Sequence, residues 1–257
     1  MSSPPPDSTE TPGQEQGFLS HLIELRQRLV RSALAVLIVF LPLTFFMKQI
    51  FDLLSRPLMI ALPEGTKLLA TGVIAPFMVP LKVTLFVSFL LALPFVLWQA
   101  WAFVAPGLYR HEKRLAGPII VSSIVMFMLG IAYCYFVVFG FIFKFIAGFA
   151  PESVNVAPDI EAYFSFVLGM FLAFGITFEV PIIVVLIARF GLANVAKLRQ
   201  ARPYVIVGAF ILAAVFTPPD VLSQLLLAIP LCLLYELGIF CARFVERPPS
   251  TDEKAAA

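Results

Sequence analysis

Six apolar runs separated by polar segments follow one another along the chain, and their lengths predict membrane-spanning helices. A helix needs roughly 20 apolar residues to cross a hydrocarbon core about 30 Å thick. Residues 48–79 contain only apolar stretches too short to span, so we expect short helices there that cap one end of the bundle. The pattern predicts an all-α integral membrane protein with six transmembrane helices. The runs cover about residues 32–47, 80–104, 115–145, 163–187, 204–216 and 221–240.

The fifth and sixth runs are shorter than an ordinary span. As a helix the fifth would be only about 20 Å long, and the sixth meets Glu236 after roughly 22 Å, at about 1.5 Å per residue. Residues 217–220 leave almost no loop between them, and the side chain of Asp220 is suited to cap the sixth helix. We expect a short helical hairpin that thins the bilayer locally, with Glu236 and Arg243 paired at its end.

Lysine and arginine are distributed unevenly among the segments that connect the runs. If six helices cross the membrane, thirteen of the 18 cations fall on one side. Because the cytoplasmic side of a membrane protein carries the excess of lysine and arginine, both termini are predicted to be cytoplasmic. The thirteen are Arg26, Arg28, Arg31, Arg110, Lys113, Arg114, Arg189, Lys197, Arg199, Arg202, Arg243, Arg247 and Lys254.

The composition is typical of a membrane protein, and it differs between the two ends of the chain and the apolar region between them. Hydrophobic residues make up 60% of the chain and charged residues 13%, whereas a soluble domain is about half apolar and about a quarter charged. Residues 1–17 contain no base and no apolar run of the kind that a signal peptide carries. We interpret 1–17 and 245–257 as disordered cytoplasmic tails that flank a transmembrane domain over 18–244.

Sequence motifs of catalysis and of metal binding are missing from the chain. Cys134, Cys232 and Cys241 lie in apolar runs without CxxC spacing, where cysteine behaves as a small hydrophobic residue. No HExxH, GxSxG or P-loop pattern is present. The sequence therefore predicts a protein that is not an enzyme and holds no metal or cofactor.

Proline recurs within five of the six runs. Each proline removes a backbone donor and can kink its helix. These residues are either the ordinary prolines of membrane helices or bends that together shape a concave wall, and the two interpretations stay open at this point. They are Pro42, Pro94, Pro118, Pro181 and Pro230.

Residues 99–114 close the second run and enter a basic patch that contains a single acid, Glu112. Trp101 and Phe103 lie where aromatic residues meet lipid headgroups, and Pro106, which precedes a glycine, predicts a turn. A carboxylate among cations can form surface ion pairs worth about 0–1 kcal/mol. It can also accept a guanidinium bidentately, which lysine reproduces poorly. The block therefore indicates a membrane boundary suited to recognising a positively charged ligand.

Two further acids are candidates for a site. Glu24 precedes Arg28 by four residues on a predicted amphipathic helix, which suits either an i,i+4 pair worth about 0.2–0.5 kcal/mol or a ligand. Glu179 lies well inside the fourth run, where a charge is expensive and a functional site is the default hypothesis. It is either a neutral carboxyl bonded to a neighbouring helix or a polar point on a concave face. A proton relay is the weakest alternative, because no second intramembrane acid is adjacent.

Five long blocks of the chain resemble the TatC family, the multispanning subunit of the twin-arginine protein translocase. The resemblance covers about residues 21–244 and implies a six-helix, glove-like receptor with short fifth and sixth helices. It implies binding of twin-arginine signal peptides of folded proteins, the single-span partners TatB and TatA, and transport driven by the proton-motive force across the bacterial inner membrane. The blocks are HLIELRQRL (21–29), WAFVAPGLYRHE (101–112), AFGITFEVP (173–181), RPYVIVGAF (202–210) and TPPDVLSQ (217–224).

The resemblance also implies roles for individual residues. The signal-peptide site would hold two carboxylates and a ring that packs on an arginine, with Arg26 ordering the tip by pairing with the carboxylates and Leu29 packing it. Thr217 and Gln224, polar residues of a kind that commonly holds membrane helices together, would dock the single-span partners, and a homo-oligomer within a larger complex is expected. The signal-peptide residues are Glu112, Phe103, Glu24, Arg26, Leu29 and Glu179, and the structural residues are Pro57, Pro106 and Asp220.

Two other classes of protein are compatible with parts of the pattern. A proton-coupled small-solute transporter would also have six spans and an intramembrane glutamate, but the chain shows no inverted repeat with paired broken helices. An intramembrane hydrolase would need a Ser/His or His/Asp arrangement inside the spans, whereas His21 and His111 lie beside them. Solute flux in vesicles and labelling by an activity probe would distinguish these alternatives.

Overall fold

The computed structural model describes residues 12–61, 67–104, 113–149, 157–217 and 221–245, and these residues form an all-helical protein. Within them β-structure is confined to one isolated bridge. Five helical segments are long and apolar enough to cross a membrane, and a sixth apolar helix, Arg202–Phe216, is shorter. The predicted all-α membrane class is confirmed. The five segments are His21–Ile60, Ala75–Phe103, Gly117–Phe145, Ile160–Arg189 and Val221–Phe244.

The first predicted run is the end of a much longer helix. Helix α1 covers Pro12–Leu43 and so begins inside the range 1–17 that the sequence analysis assigns to a tail. Near its end, Pro42 lacks a backbone donor. A 3₁₀ turn, Thr44–Phe46, follows and leads without a gap into helix α2, Met47–Ala61. The expected short helix of the first loop is therefore present as a continuation of α1.

Two tyrosines from other helices hold α2 in place at its proline. Pro57 has no N–H, so the carbonyl of Leu53 loses its usual helical donor. The hydroxyl of Tyr135 donates to that carbonyl at 3.2 Å, and the hydroxyl of Tyr163 donates to the carbonyl of Leu54 at 3.1 Å. The carbonyl that Pro57 frees thus accepts a hydrogen bond from Tyr135, and the structural role of Pro57 stays a prediction.

The second and third runs form two long rods. Helix α3 covers Ala75–Val104. Helix α4, Lys113–Tyr133, continues through a π-helical turn, Cys134–Val138, into helix α5, Phe139–Phe149. Pro106 and Glu112 lie between α3 and α4, outside the described residues.

The fourth run is broken at one residue. Helix α6, Ile160–Phe178, ends at Glu179, and helix α7, Val180–Arg189, begins directly after it. Pro181 stands in the first turn of α7, where its missing N–H is tolerated. The short helix α8, Val195–Gln200, follows α7 and is capped by the Asn194 side chain.

The last two helices correct part of the sequence analysis. Helix α9, Arg202–Phe216, is short as predicted, but helix α10, Val221–Val245, has 25 residues and is long enough to cross a membrane. The expectation of a short sixth helix was wrong because Glu236 does not end it. Its carboxylate pairs with Arg202 of α9 at 2.6 Å rather than with Arg243. Asp220 lies outside the described residues, so its capping role stays a prediction.

The buried apolar side chains form two clusters along the bundle. The larger one joins α2, α3, the α4–α5 rod, α6, α9 and α10 around Phe139, Phe164 and Phe174. The smaller one joins α7, α8 and the second half of α10 around Tyr235 and Ile239. The hydroxyl of Tyr235 donates to the carbonyl of Leu198 at 2.7 Å and anchors α8 there.

The segment before α3 is tied to the start of α6 by a polar cluster. Leu69 and Asp159 form the isolated bridge, and the Asp159 carboxylate accepts from the Thr71 hydroxyl at 2.6 Å. The same carboxylate caps α6 by accepting from the backbone of Glu161 and Ala162 at 2.9 Å. The Thr71 hydroxyl, followed by the backbone donors, lowers the pKa of Asp159 below its ordinary 3.8. This cluster fixes the end of the bundle opposite to the α1–α3 contact described next.

Candidate functional site at the α1–α3 corner

Helix α1 contacts α3 through one polar stripe near its start. Glu24 and Arg28 are four residues apart, so their side chains share a face of α1, and both are partly buried. On α3, Gln99 and Phe103 share a face in the same way. The Arg28 Nη1 donates to Gln99 Oε1 at 3.3 Å, and the rings of His21 and Phe103 stack with centroids 4.3 Å apart. We call His21, Glu24, Arg28, Gln99 and Phe103 the α1–α3 corner.

The carboxylate of Glu24 is held within the corner but is not enclosed. Arg28 donates to Glu24 Oε1 from Nε at 3.0 Å and from Nη2 at 2.5 Å, so the i,i+4 pair, one of the two alternatives that the sequence left open, is present. The side chain of Glu24 is 42% exposed and that of Arg28 is 22% exposed. A ligand can therefore reach the carboxylate without a rearrangement of the helices.

Arg26 and Leu29 point away from this stripe. The Leu29 side chain is 68% exposed, so the expectation that it packs the tip was wrong. Arg26 is exposed and, with residues on the same side of α1, lines an open groove of about 320 Å³. Glu24 pairs with Arg28, and no ion pair of Arg26 is present in the described part of the chain. The cause is geometric: a two-residue spacing puts side chains on different faces of a helix.

Glu179 occupies a separate, buried position at the break between α6 and α7. It is 7% exposed, and neither carboxyl oxygen has a partner at hydrogen-bonding geometry among the described residues. The hydroxyl of Ser123 on α4 is near enough to interact with the carboxyl. That hydroxyl in turn accepts from the indole of Trp101 at 2.8 Å. Trp101 and Phe103 both lie near the end of α3, so this helix links the corner to Glu179.

Close helix packing surrounds Glu179. A Cβ on Gly130 of α4 would come within 2.5 Å of the Phe174 carbonyl oxygen on α6. A Cβ on Gly238 of α10 would lie 2.9 Å from the Pro181 Cα. In both cases the nearest atom belongs to the backbone of another helix and cannot rotate away. Only glycine therefore allows these helices to approach so closely. The carboxyl of Glu179 therefore lies in a rigid setting.

The predicted docking residues lie at the hairpin between α9 and α10. The buried Thr217 hydroxyl donates to the Ala213 carbonyl at 2.8 Å within the hairpin's first arm. Gln224 Nε2 donates to the Phe210 carbonyl at 3.2 Å and thereby joins the two helices. Along α9 only Ala209 and Ala213 are buried, so most of this helix presents apolar side chains outward.

Several residues of the site were not singled out from the sequence. Gln99 and Ser123 are polar side chains inside apolar runs, which is a usable signal, but their partners are 71 and 22 residues away along the chain. The sequence shows only that His21 lies beside a predicted span, and not that its ring stacks on Phe103. Glu112, the acid on which the sequence analysis depends most, lies outside the described residues, immediately before α4. Its contribution stays a prediction.

Comparisons with known proteins agree with this architecture. The family model described as "Sec-independent protein translocase protein (TatC)" matches residues 20–230. The Sec-independent protein translocase protein TatC of Escherichia coli (strain K12) is 49% identical over 229 residues, which is 89% of this chain and 89% of that protein. The protein of the same name from Azotobacter chroococcum mcd 1 is 50% identical over 242 residues, which is 93% of this chain and 95% of the relative.

A solved structure supports the same assignment. The structure described as "Crystal Structure of Twin Arginine Translocase Receptor- TatC" superposes with a TM-score of 0.77 at 39% identity, over 88% of this chain and 100% of that one. Both the family match and the relatives cover far more than half of the sequence. The chain belongs to the TatC family of Sec-independent protein translocase proteins.

Proposed function

We propose that this protein is a receptor for twin-arginine signal peptides and a core component of the translocase that exports folded proteins across the cytoplasmic membrane. The observation that carries the proposal is the α1–α3 corner, where a half-exposed carboxylate, Glu24, and an aromatic ring, Phe103, are brought to one place from distant parts of the chain. The similarity to a structure described as a twin-arginine translocase receptor supports it.

The chemistry of the corner suits a guanidinium better than an ammonium. Arginine presents a planar fork of donors that matches a carboxylate, and its face stacks on aromatic rings, whereas lysine offers a point charge. Glu24 supplies an acceptor, and Phe103 supplies a ring that already stacks on His21. Glu112 would supply a second carboxylate for the second arginine of the ligand. Arg26 and Leu29, on the other faces of α1, would contact the flanking part of the signal peptide.

The proposal places the corner on the cytoplasmic side. The cation distribution favours cytoplasmic termini, and the corner lies toward the N-terminal end of α1. Six helices would then cross the inner membrane, α9 being short enough to thin the bilayer beside it. The helices would form a concave, glove-like wall, with Glu179 as a polar point on it. The proton-motive force would drive transport.

Partner binding is proposed for the α9–α10 hairpin. An apolar helix that buries only two alanines in its own fold leaves a surface on which a single-span helix can pack. The single-span subunits TatB and TatA would dock there, next to Thr217 and Gln224, and several copies of this chain would assemble in one complex.

Binding of a signal peptide tests the receptor proposal. The purified protein in detergent would be titrated at fixed salt with a peptide that carries Arg-Arg and with the same peptide carrying Lys-Lys. We expect the Arg-Arg peptide to bind about tenfold more tightly or better, since a bidentate charged pair contributes about 1.5–3 kcal/mol. Glu24→Gln, which is isosteric, is expected to reduce the ratio. Equal binding of the two peptides by the unchanged protein would rule out arginine recognition.

Gln224→Leu is expected to weaken partner association while the protein stays folded. The change removes the hydrogen bond to the Phe210 carbonyl and a polar contact for the partner, each worth about 0.6–2 kcal/mol. Copurification of tagged TatB with the variant measures the effect. Leu233→Gln, an exposed position on the same helix away from the hairpin, serves as the matched control. Undiminished copurification of TatB with Gln224→Leu would exclude this part of the docking surface.

A further inference from the structure

The acceptor at the α1–α3 corner is already occupied by an arginine of the chain itself. Two nitrogens of Arg28, Nε and Nη2, donate to the same oxygen of Glu24, at 3.0 and 2.5 Å. The third, Nη1, donates to Gln99 at 3.3 Å. All three guanidinium nitrogens are thus engaged, and this is the kind of contact that a signal-peptide arginine would make.

The internal contact is weak enough to be exchanged. An i,i+4 ion pair on a helix contributes only about 0.3–0.5 kcal/mol, and the Glu24 side chain remains 42% exposed. Gln99 is buried, 5% exposed, and belongs to α3 rather than α1. If Arg28 releases Glu24, its bond to Gln99 can persist, so its guanidinium need not return unpaired to water. Release of Glu24 therefore leaves Arg28 with one of its two partners.

We infer that Arg28 is an internal competitor that sets the affinity of the site: its guanidinium occupies Glu24 in the free receptor and must be displaced by an arginine of the signal peptide. This inference rests on the proposed receptor function. Because Arg28 must first be displaced from Glu24, every ligand binds there with a lower affinity than it would at a free carboxylate. An incoming arginine restores the same two bonds that it breaks, whereas an incoming lysine restores fewer. Displacement of Arg28 lowers the affinity of both peptides by the same factor, so the lysine-bearing peptide, which restores fewer bonds, binds less tightly.

Removal of the competitor tests the inference. Arg28→Gln is compared with Arg31→Gln, which removes the same charge one turn away from an exposed residue that forms no ion pair in the described part of the chain. The comparison isolates the loss of competition from the general effect of one fewer cation. The Arg-Arg peptide is expected to bind Arg28→Gln about 2-fold more tightly than Arg31→Gln. The Lys-Lys peptide is expected to gain by about the same factor, so the ratio of the two affinities stays unchanged.

If Arg28 has a different role, the affinity of the variant for the Arg-Arg peptide is expected to change in the opposite direction. If Arg28 only orients Glu24, Arg28→Gln binds the Arg-Arg peptide equally or more weakly than Arg31→Gln, and the inference is overturned. Arg28→Lys keeps the charge and the helix, and it is expected to bind the Arg-Arg peptide with an affinity between those of the unchanged protein and Arg28→Gln. An affinity at or below that of the unchanged protein would also overturn it, even if Arg28→Gln does not fold.

Failure of the inference and failure of the proposed function give different results. If the unchanged protein does not distinguish Arg-Arg from Lys-Lys, the receptor proposal fails. If it does distinguish them but Arg28→Gln gains nothing over Arg31→Gln, only the competitor role fails. The double variant Glu24→Gln with Arg28→Gln is expected to lose the gain, because the released acceptor is then absent. A retained gain would mean that Arg28 acts somewhere other than on Glu24.

Discussion

A protein carrying Glu112→Ala is expected to insert into the membrane at its normal level and to export no twin-arginine substrate. Truncating one partner of a hydrogen-bonded charge pair costs about 2–5 kcal/mol, which is roughly 30-fold or more in affinity. Glu112 stands one residue before α4, among three cations of the sequence, so its loss also makes the boundary more repulsive to a cationic ligand. Export of a folded reporter protein with an Arg-Arg signal measures the effect.

The control for this prediction is Glu112→Asp, which keeps a carboxylate on a shorter stem and is expected to retain part of the export. Immunodetection of the variant in the membrane fraction separates a binding defect from loss of the protein. Normal export by Glu112→Ala would remove Glu112 from the site. Loss of the protein from the membrane would instead indicate a structural role.

Gly130→Ala is expected to destabilise the protein strongly. The added methyl group would lie 2.5 Å from the Phe174 carbonyl oxygen and 2.9 Å from its carbon, and both belong to the backbone of a neighbouring helix. Overpacking of this kind costs about 1–3 kcal/mol, since the helices must move apart. The expected result is a lower midpoint of thermal unfolding in detergent, followed by circular dichroism.

Gly169→Ala provides the matched comparison within the helix that Gly130 contacts. Nothing lies within 4 Å of a Cβ at Gly169, so the substitution is expected to be neutral or to stabilise slightly, because alanine favours the helix over glycine. If the two variants unfolded at the same temperature, close approach of α4 and α6 would not be what requires Gly130.

The apolar runs predicted the positions of the helices well but not all of their ends. Run lengths follow directly from the energy of placing residues in hydrocarbon, so α3, α6 together with α7, and α9 lie close to the predicted ranges. The end of α10 was predicted too early because Glu236 was treated as a residue facing water. In the fold its charge is met by Arg202 from another helix, 34 residues away, and the helix continues past it.

For the site as well, contacts between neighbouring residues could be predicted from the sequence, whereas contacts between distant residues could not. The pair of Glu24 and Arg28 follows from helical periodicity alone, and it was one of the two alternatives that the sequence left open for Glu24. The stacking of His21 on Phe103 and the bond from Arg28 to Gln99 join residues far apart in the chain. No local pattern determines which two helices meet, so these contacts required the tertiary structure. The break at Glu179 lies two residues before Pro181, a possible kink in the sequence, but the sequence did not show which residue would end the helix.

The one-sided packing of α1 has a consequence for biogenesis. None of the most apolar 18 residues of the segment that contains α1 is buried, and the partner of Arg28 on α3 lies 71 residues further along the chain. At a synthesis rate of about 5–20 residues per second, α1 waits roughly 4–14 s before that partner leaves the ribosome. The first helix must therefore persist alone in lipid, which its hydropathy allows, and the corner is assembled only when the nascent α3 docks beside it.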